Sequence, residues 1–196
     1  MRRDRYIKYP FYGSLLLDKK EVIFVLEAIK REHNVFEYGC GLATNFFSAY
    51  VNKWYSVEHD PAWAEKIKAN KHNNTTIFTE PLKDGKKARF AEDKSSDWND
   101  VLGSEYAKRY DGYIKTFSSV KDIDIVFIDG RARTACAKYV YDNMKDDCKI
   151  IFHDWSRSWY RCLDSFRVVK ELSPNEFGHR DPHIAILEKK KNETLL

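Results

Sequence analysis

Two acidic residues and a histidine stand directly after short apolar runs, at positions where side chains can do chemistry. Asp129 follows the run that ends the segment Asp122–Ile128, and His153 and Asp154 follow the segment Lys149–Phe152. If both segments are parallel strands, their carboxyl ends meet at one edge of a sheet, where ligands bind. Grouped there, these side chains could act as a general base, or the two carboxylates could hold Mg²⁺ or Mn²⁺.

A second set of residues surrounds a glycine turn nearer the start of the chain. The sequence VFEYGCGLAT predicts a strand, a turn at Gly39 and Gly41, and the start of a helix. Glycine lets the main chain turn tightly and lets a ligand approach it, while the helix N-terminus offers unpaired N–H groups. Glu58 lies 17 residues after Gly41, at the end of the next predicted strand. A carboxylate there can accept both hydroxyls of an adenosine ribose.

The elements that must position these residues follow a pattern typical of α/β proteins, because short apolar runs alternate with amphipathic stretches. Helices are expected over Lys19–Arg31, from about Ala43, from Pro61 with Asp60 as N-cap, from about Ala135 to Met144, and from about Ser158 to Leu172. Strands are expected over Asn34–Tyr38, Trp54–Glu58, Thr75–Thr79, Asp122–Ile128, Lys149–Phe152 and His183–Glu188. The polar stretch Pro81–Lys121 could cover the sheet or form a lid over a site.

The ordered set Glu37, Gly39, Gly41 and Glu58 resembles class I S-adenosylmethionine-dependent methyltransferases. Their first motif has an acidic residue two positions before the first of two glycines, and their second strand ends in a ribose-binding carboxylate. The resemblance covers nearly the whole chain and implies a Rossmann-like, mostly parallel seven-stranded sheet flanked by helices. It implies that Glu37 holds the methionine amino end, that the two glycines pass beneath the cofactor, and that Glu58 binds the ribose.

Other cofactor contacts are less defined, and other functions stay open. His59 could border the adenine or be an exposed loop histidine, Glu80 is the nearest candidate for the adenine amino group, and Asp129 is also assigned to the cofactor. A nicotinamide-dependent oxidoreductase is the competing enzyme class, but its fingerprint has glycine or alanine where this chain has Thr44. A non-catalytic binding module with the same fold is the third alternative.

Asp129 and Asp154 also resemble the carboxylates that metal-dependent O-methyltransferases of the catechol and macrolide-sugar types place after strands four and five. Those enzymes often have an amide or acid directly after the second carboxylate, where this chain has Trp155. A metal therefore stays open, and without it His153 or Asp154 is the expected base. The predicted reaction transfers a methyl group from S-adenosylmethionine to a hydroxyl, with Asp129, His153 and Asp154 as catalytic residues.

Basic and aromatic residues after the same two strands predict the contacts of the acceptor. They are Arg131, Arg133, Trp155, Arg157 and Trp159. Aromatic faces and guanidinium donors suit a sugar, although the aromatics could instead belong to the core. The pattern resembles small O-methyltransferases associated with glycan modification, including ones of large DNA viruses. Nucleic-acid N-methyltransferases commonly carry Asn/Asp-Pro-Pro-aromatic where this chain has Ile-Asp-Gly-Arg, so an exocyclic amine is disfavoured.

The composition of the chain restricts which binding partners and which cellular compartment are expected for the protein. The length suits one domain over residues 1–196, and 34 Lys and Arg against 30 Asp and Glu give a net charge of +4 without a dense basic stripe. We therefore expect a small-molecule or glycan acceptor and no nucleic acid. Separated cysteines and the lack of a long apolar run predict no membrane span and a cytoplasmic location, or the host cytoplasm for a viral protein. The aromatic segment Arg5–Leu17 could fold over the cofactor or pack on the second subunit of a homodimer.

Overall fold

A seven-stranded sheet between two layers of helices is the centre of the computed structural model, which describes residues 6–9, 13–85, 98–155, 157, 160, 164–172 and 184–190. The strands are β1 (Tyr6–Tyr9), β2 (Gly13–Asp18), β3 (Asn34–Tyr38), β4 (Lys53–Glu58), β5 (Thr75–Thr79), β6 (Ile125–Ile128), β7 (Lys149–His153), β8 (Phe166–Glu171) and β9 (Ile184–Lys189). The α-helices are α1 (Lys19–Ala28), α2 (Leu42–Phe47), α3 (Pro61–Lys68), α4 (Glu105–Arg109), α5 (Asp111–Lys115) and α6 (Arg133–Asn143).

The strand order of the sheet is β5-β4-β3-β6-β7-β9-β8. Strands β3 to β7 pair in parallel, and β9 runs antiparallel to both β7 and β8. The expected mostly parallel, seven-stranded sheet is therefore confirmed. The order reverses between β3 and β6, the kind of switch point at which open α/β sheets bind ligands. Strands β1 and β2 form a separate antiparallel hairpin.

The apolar pattern of the strands explains why helices cover both faces. All four residues of β6 are buried, as a parallel strand with two covered faces requires. Side chains alternate along β3, so Phe36 and Tyr38 enter one core while Val35 enters the other together with Trp54. Glu37 shares the face of Val35, and this places its carboxylate against Trp54.

The last predicted helix is wrong over the residues that form β8. The pattern predicted a helix from Ser158 to Leu172, but Phe166–Glu171 is a strand paired with β9. This segment contains Val168 and Val169, whose β-branched side chains favour an extended chain. Pairing with a strand close to the end of the chain supplies the backbone hydrogen bonds, and local periodicity cannot reveal such a partner.

The polar stretch before β6 covers the sheet over the part that the structure describes. It forms α4, α5 and short 3₁₀ turns, and its apolar residues pack in the same core as Phe36 and Ile128. These apolar residues are Leu82, Val101, Ala107, Tyr110, Tyr113, Ile114 and Phe117. Among the described residues, no helix combines the length and the apolar composition needed to cross a membrane.

Candidate active site

The glycine turn between β3 and α2 lies against the turn that follows β6. Gly39 has a φ of 89°, and a Cβ on it would lie 2.6 Å from the Gly130 Cα, so the fold itself requires glycine there. Gly41 differs, because its φ of −164° suits any residue and a Cβ on it would meet no described residue within 4 Å. Open space therefore adjoins the turn at Gly41.

Glu37 is buried behind the turn and braces it. Its Oε2 accepts hydrogen bonds from Thr44 Oγ1 at 2.6 Å, Ser56 Oγ at 2.5 Å and Trp54 Nε1 at 2.9 Å. Thr44 Oγ1 also accepts from the Gly41 N–H at 2.8 Å, so the carboxyl group is tied to the turn through this hydroxyl. Burial raises the pKa of Glu37 to about 8, although the three hydrogen bonds act to lower it.

Glu58 connects the end of β4 to the same turn. Its Oε1 accepts from the backbone N–H groups of His59 at 2.8 Å and Asp60 at 2.9 Å, and its Oε2 accepts from the Cys40 N–H at 3.2 Å. His59 Nδ1 lies 2.7 Å from Oε1 but at an angle that makes no hydrogen bond. Each carboxylate oxygen can accept about two hydrogen bonds, so Oε2 has capacity for one further donor.

His59 follows β4, which lies on the opposite side of β3 from β6 in the sheet. Its ring centroid is 5.6 Å from that of Tyr110 and 6.0 Å from that of Tyr113. Glu80 follows β5 nearby, and its carboxylate is so close to Gly112 that a Cβ there would lie 2.6 Å from Oε2. The predicted N-cap at Asp60 is confirmed, since Asp60 Oδ1 accepts from the Ala62 and Trp63 N–H groups.

His153, the last residue of β7, lies between the carboxylate of Asp129 after β6 and that of Glu21 on α1. Its Nδ1 lies 2.7 Å from Asp129 Oδ1, and its Nε2 lies 3.3 Å from Glu21 Oε1 on α1. Burial acts to lower the pKa of His153, but Asp129 and Glu21 outweigh it and raise the pKa to about 10. At neutral pH both ring nitrogens carry protons. This arrangement does not fit the expected role of His153 as a general base.

Arg133 ties the ends of β6 and β7 together. Its Nε donates to Gly130 O at 3.0 Å, its Nη1 to His153 O at 2.6 Å, and its Nη2 to Asp129 O at 3.0 Å. The same guanidinium lies 3.3 Å from Asp129 Oδ1 and 3.0 Å from Asp154 Oδ2. Arg133 is 8% exposed and all its edges contact the protein, so it does not fit the substrate-binding role that the sequence predicted.

Six ionisable side chains thus form an edge cluster of alternating charge. In spatial order they are Glu21, His153, Asp129, Arg133, Asp154 and Arg157. Asp154 has a φ of 60°, an uncommon conformation for a non-glycine residue, and its Oδ2 pairs with both arginines. Burial acts to raise the pKa of Asp129, but the positive charges of His153, Arg133 and Arg157 hold it below its ordinary value.

The edge cluster does not fit the divalent metal that the two aspartates suggested. The Arg133 guanidinium already lies between Asp129 and Asp154 and neutralises one oxygen of each. Over residues 6–9, 13–85, 98–155, 157, 160, 164–172 and 184–190, no three His, Cys, Asp or Glu side chains are grouped as metal ligands. A cation placed between the aspartates would meet a positive charge that is hydrogen-bonded to the backbone of both strands.

Each aspartate of the cluster nevertheless keeps one oxygen for a ligand. Within the described part of the chain, the side-chain contacts of Asp129 go to Oδ1 and those of Asp154 go to Oδ2. Asp129 is 25% exposed at its side chain and Asp154 18%. Asp129 Oδ2 and Asp154 Oδ1 can therefore accept hydrogen bonds from a bound molecule.

The other predicted acceptor residues occupy different environments. Trp155 is half-buried and packs edge-on against Phe152 at 5.7 Å, which favours the core role left open for it. Arg157 is one-third exposed, and its Nη2 lies 2.8 Å from Asp154 Oδ2. The backbone N–H of Arg131 lies 3.4 Å from the Tyr113 hydroxyl. Trp159 lies outside the described residues.

Glu21 is the site residue that sequence reasoning missed. It belongs to α1, far from β7 in the chain, and it is 4% exposed. The signal in the sequence that points to Glu21 is a carboxylate next to the apolar face of an amphipathic helix. This signal does not show that His153 is its partner. Only the packing of α1 against the sheet brings Glu21 to His153.

Comparison with solved structures relates this fold to methyltransferases. No protein-family model matches the chain, and no curated protein matches its sequence. An rRNA methylase from Streptococcus thermophilus superposes with a TM-score of 0.53 at 14% identity, covering 88% of this chain and 95% of that one. The seven-stranded sheet has a methyltransferase fold.

Two further structures share this fold. A TehB-like SAM-dependent methyltransferase from Corynebacterium glutamicum has a TM-score of 0.52 at 11% identity and covers 87% of each chain. Precorrin 8W decarboxylase from Methanobacterium thermoautotrophicum has a TM-score of 0.55 at 16% identity, covering 97% of this chain and 100% of that one. At these identities the likeness concerns the fold alone.

Proposed function

We propose that this chain is an S-adenosylmethionine-dependent methyltransferase that acts on a hydroxyl group, most simply one of a sugar in a glycan. The observation that carries the proposal is the open space at Gly41, beside the switch point of the sheet and next to Glu58. No residue that the structure describes needs glycine at this position, whereas a ligand lying against the main chain would. A dinucleotide fits less well, because Thr44 uses its hydroxyl to brace the turn.

The residues around the turn fit the two ends of this cofactor. Glu58 Oε2 would accept a ribose hydroxyl, and His59 would border the nucleoside. Glu37 is neutral below about pH 8, and a nearby ammonium group would favour its charged form. When bound, S-adenosylmethionine supplies a methyl group already activated by its sulfonium.

The edge cluster supplies what the acceptor needs. Asp154 Oδ1 would take the proton of the acceptor hydroxyl, and Asp129 Oδ2 would hold that hydroxyl in position. Arg133 pairs with both carboxylates and His153 pairs with Asp129, so these cationic side chains fix the orientation of the two aspartates. Arg157, at the exposed end of the cluster, would contact the sugar.

Calorimetric titration tests the cofactor assignment. We expect wild-type protein to bind S-adenosylmethionine and S-adenosylhomocysteine but not NAD. Glu58→Gln should weaken binding roughly ten- to hundredfold, since a hydrogen bond to a charged group contributes about 1.5–3 kcal/mol. Glu65→Gln on the exposed side of α3 is the matched control. Absence of binding by the wild type would refute the proposal and favour a non-catalytic module.

Transfer of a labelled methyl group to a panel of sugars and polyols tests the acceptor assignment. Asp154→Asn should retain cofactor binding and lose transfer, while Asp142→Asn, on the surface of α6, should change neither. Transfer by Asp154→Asn at the wild-type rate would remove Asp154 as the base. A cytoplasmic location and a homodimer stay predictions of the sequence.

A further inference from the structure

Trp63 lies beside the glycine turn with much of its side chain exposed. It belongs to the first turn of α3, and 38% of the residue is exposed. Its indole Nε1 donates a hydrogen bond of 2.7 Å to the carbonyl oxygen of Cys40, which stands between Gly39 and Gly41. A large apolar ring is therefore attached directly to the turn that adjoins the open space.

The indole is held in one place although it is exposed. The Trp63 backbone N–H is capped by Asp60 Oδ1 at 3.1 Å, and the Lys66 ammonium lies 5.0 Å from the ring centroid. Ordering an exposed side chain costs conformational entropy. A preordered aromatic surface recovers this cost when it contacts a ligand, since less freedom is then lost on binding.

The position of Trp63 indicates which half of a ligand it would meet. Cys40 donates its N–H to Glu58 Oε2 and receives the Trp63 N–H at its carbonyl, so both side chains flank the same residue of the turn. Glu58 and Trp63 belong to β4 and α3, whereas Asp129 follows β6 on the other side of β3. Trp63 thus lies on the ribose side of the site and away from the edge cluster.

We propose that the indole of Trp63 forms the outer wall of the cofactor pocket and contacts the nucleoside half of S-adenosylmethionine. This inference rests on the function proposed above. A nucleoside presents an aromatic base and a sugar with an apolar face, and both pack well on an indole. With Glu58 accepting from the ribose and Trp63 covering it, the nucleoside would be held by one polar and one apolar contact.

Intrinsic fluorescence measured beside calorimetry tests this contact, with S-adenosylhomocysteine as the probe. We expect the ligand to change the tryptophan emission of the wild type and to protect it from acrylamide quenching. Trp63→Phe should lose most of both effects and bind the probe roughly tenfold more weakly. Trp98→Phe is the control, because Trp98 packs against Tyr141 and Phe166 in the core.

The outcomes separate this inference from the proposed function. If the wild-type protein binds the probe in calorimetry, but the fluorescence and acrylamide effects persist in Trp63→Phe, the contact is overturned. The cofactor assignment then stands. Loss of both effects in Trp63→Phe but not in Trp98→Phe would support it. Failure of the wild-type protein to bind the probe would overturn the proposed function and the contact together.

Discussion

The proton on His153 should make the stability of this protein depend on pH above neutrality. The folded protein holds this proton up to a pKa of about 10, whereas an unfolded chain releases it near pH 6.5. Between these values the folded state binds more protons, so stability falls as pH rises and is fully present below about pH 6.5. Each pH unit changes the free energy of unfolding by about 1.4 kcal/mol, or about 2–3 kcal/mol from pH 7 to 9.

Urea denaturation of wild type and His153→Gln at pH 7, 8 and 9 measures this contribution. Other groups that titrate in this interval are common to both proteins, so the difference between them isolates His153. We expect the stability advantage of the wild type to shrink by about 2–3 kcal/mol over the interval. His72→Gln, at an exposed position, should instead parallel the wild type.

A direct measurement guards against a His153→Gln variant that does not fold. Nitrogen-15 NMR of the wild-type imidazole at pH 8 should show both ring nitrogens protonated. Glu21→Gln removes the charge that faces Nε2 and should lower the pKa of His153. Parallel pH profiles of the wild type and His153→Gln, or a singly protonated ring at pH 8, would refute the reasoning.

Two further predictions concern residues that hold together the backbone beside the candidate site, and urea denaturation tests both. Arg133→Met leaves Asp129 and Asp154 without the cation that they share. We therefore expect the free energy of unfolding to fall by about 3 kcal/mol. An unchanged free energy of unfolding would contradict this prediction. Gly39→Ala should cost more than Gly85→Ala. Both glycines have a positive φ, which costs a non-glycine residue about 1–2 kcal/mol. Of the two, only Gly39 would place a Cβ in collision with the facing turn. Equal losses of unfolding free energy in the two variants would show that the facing turn moves to accommodate the Cβ at little cost.

The sequence by itself determined the order of the central strands along the chain and the position of the glycine turn. Buried parallel strands need continuous apolar runs, so the segments that became β6 and β7 are visible in the pattern. Local chemistry also sufficed for the N-cap at Asp60, because its partners lie within three residues. It sufficed for the turn at Gly39 as well, but the close contact of Gly39 with Gly130 depends on the fold.

Tertiary structure alone decided the partner of each ionisable side chain. Asp129 and Asp154 do converge at one edge, but they converge on Arg133, and His153 receives Glu21 from a helix near the other end of the chain. Strand β8 also depends on a partner that its own pattern does not reveal, because β9 comes later in the chain. Charge and hydrogen bonding act over a few ångströms in space, whereas sequence patterns report only neighbours along the chain.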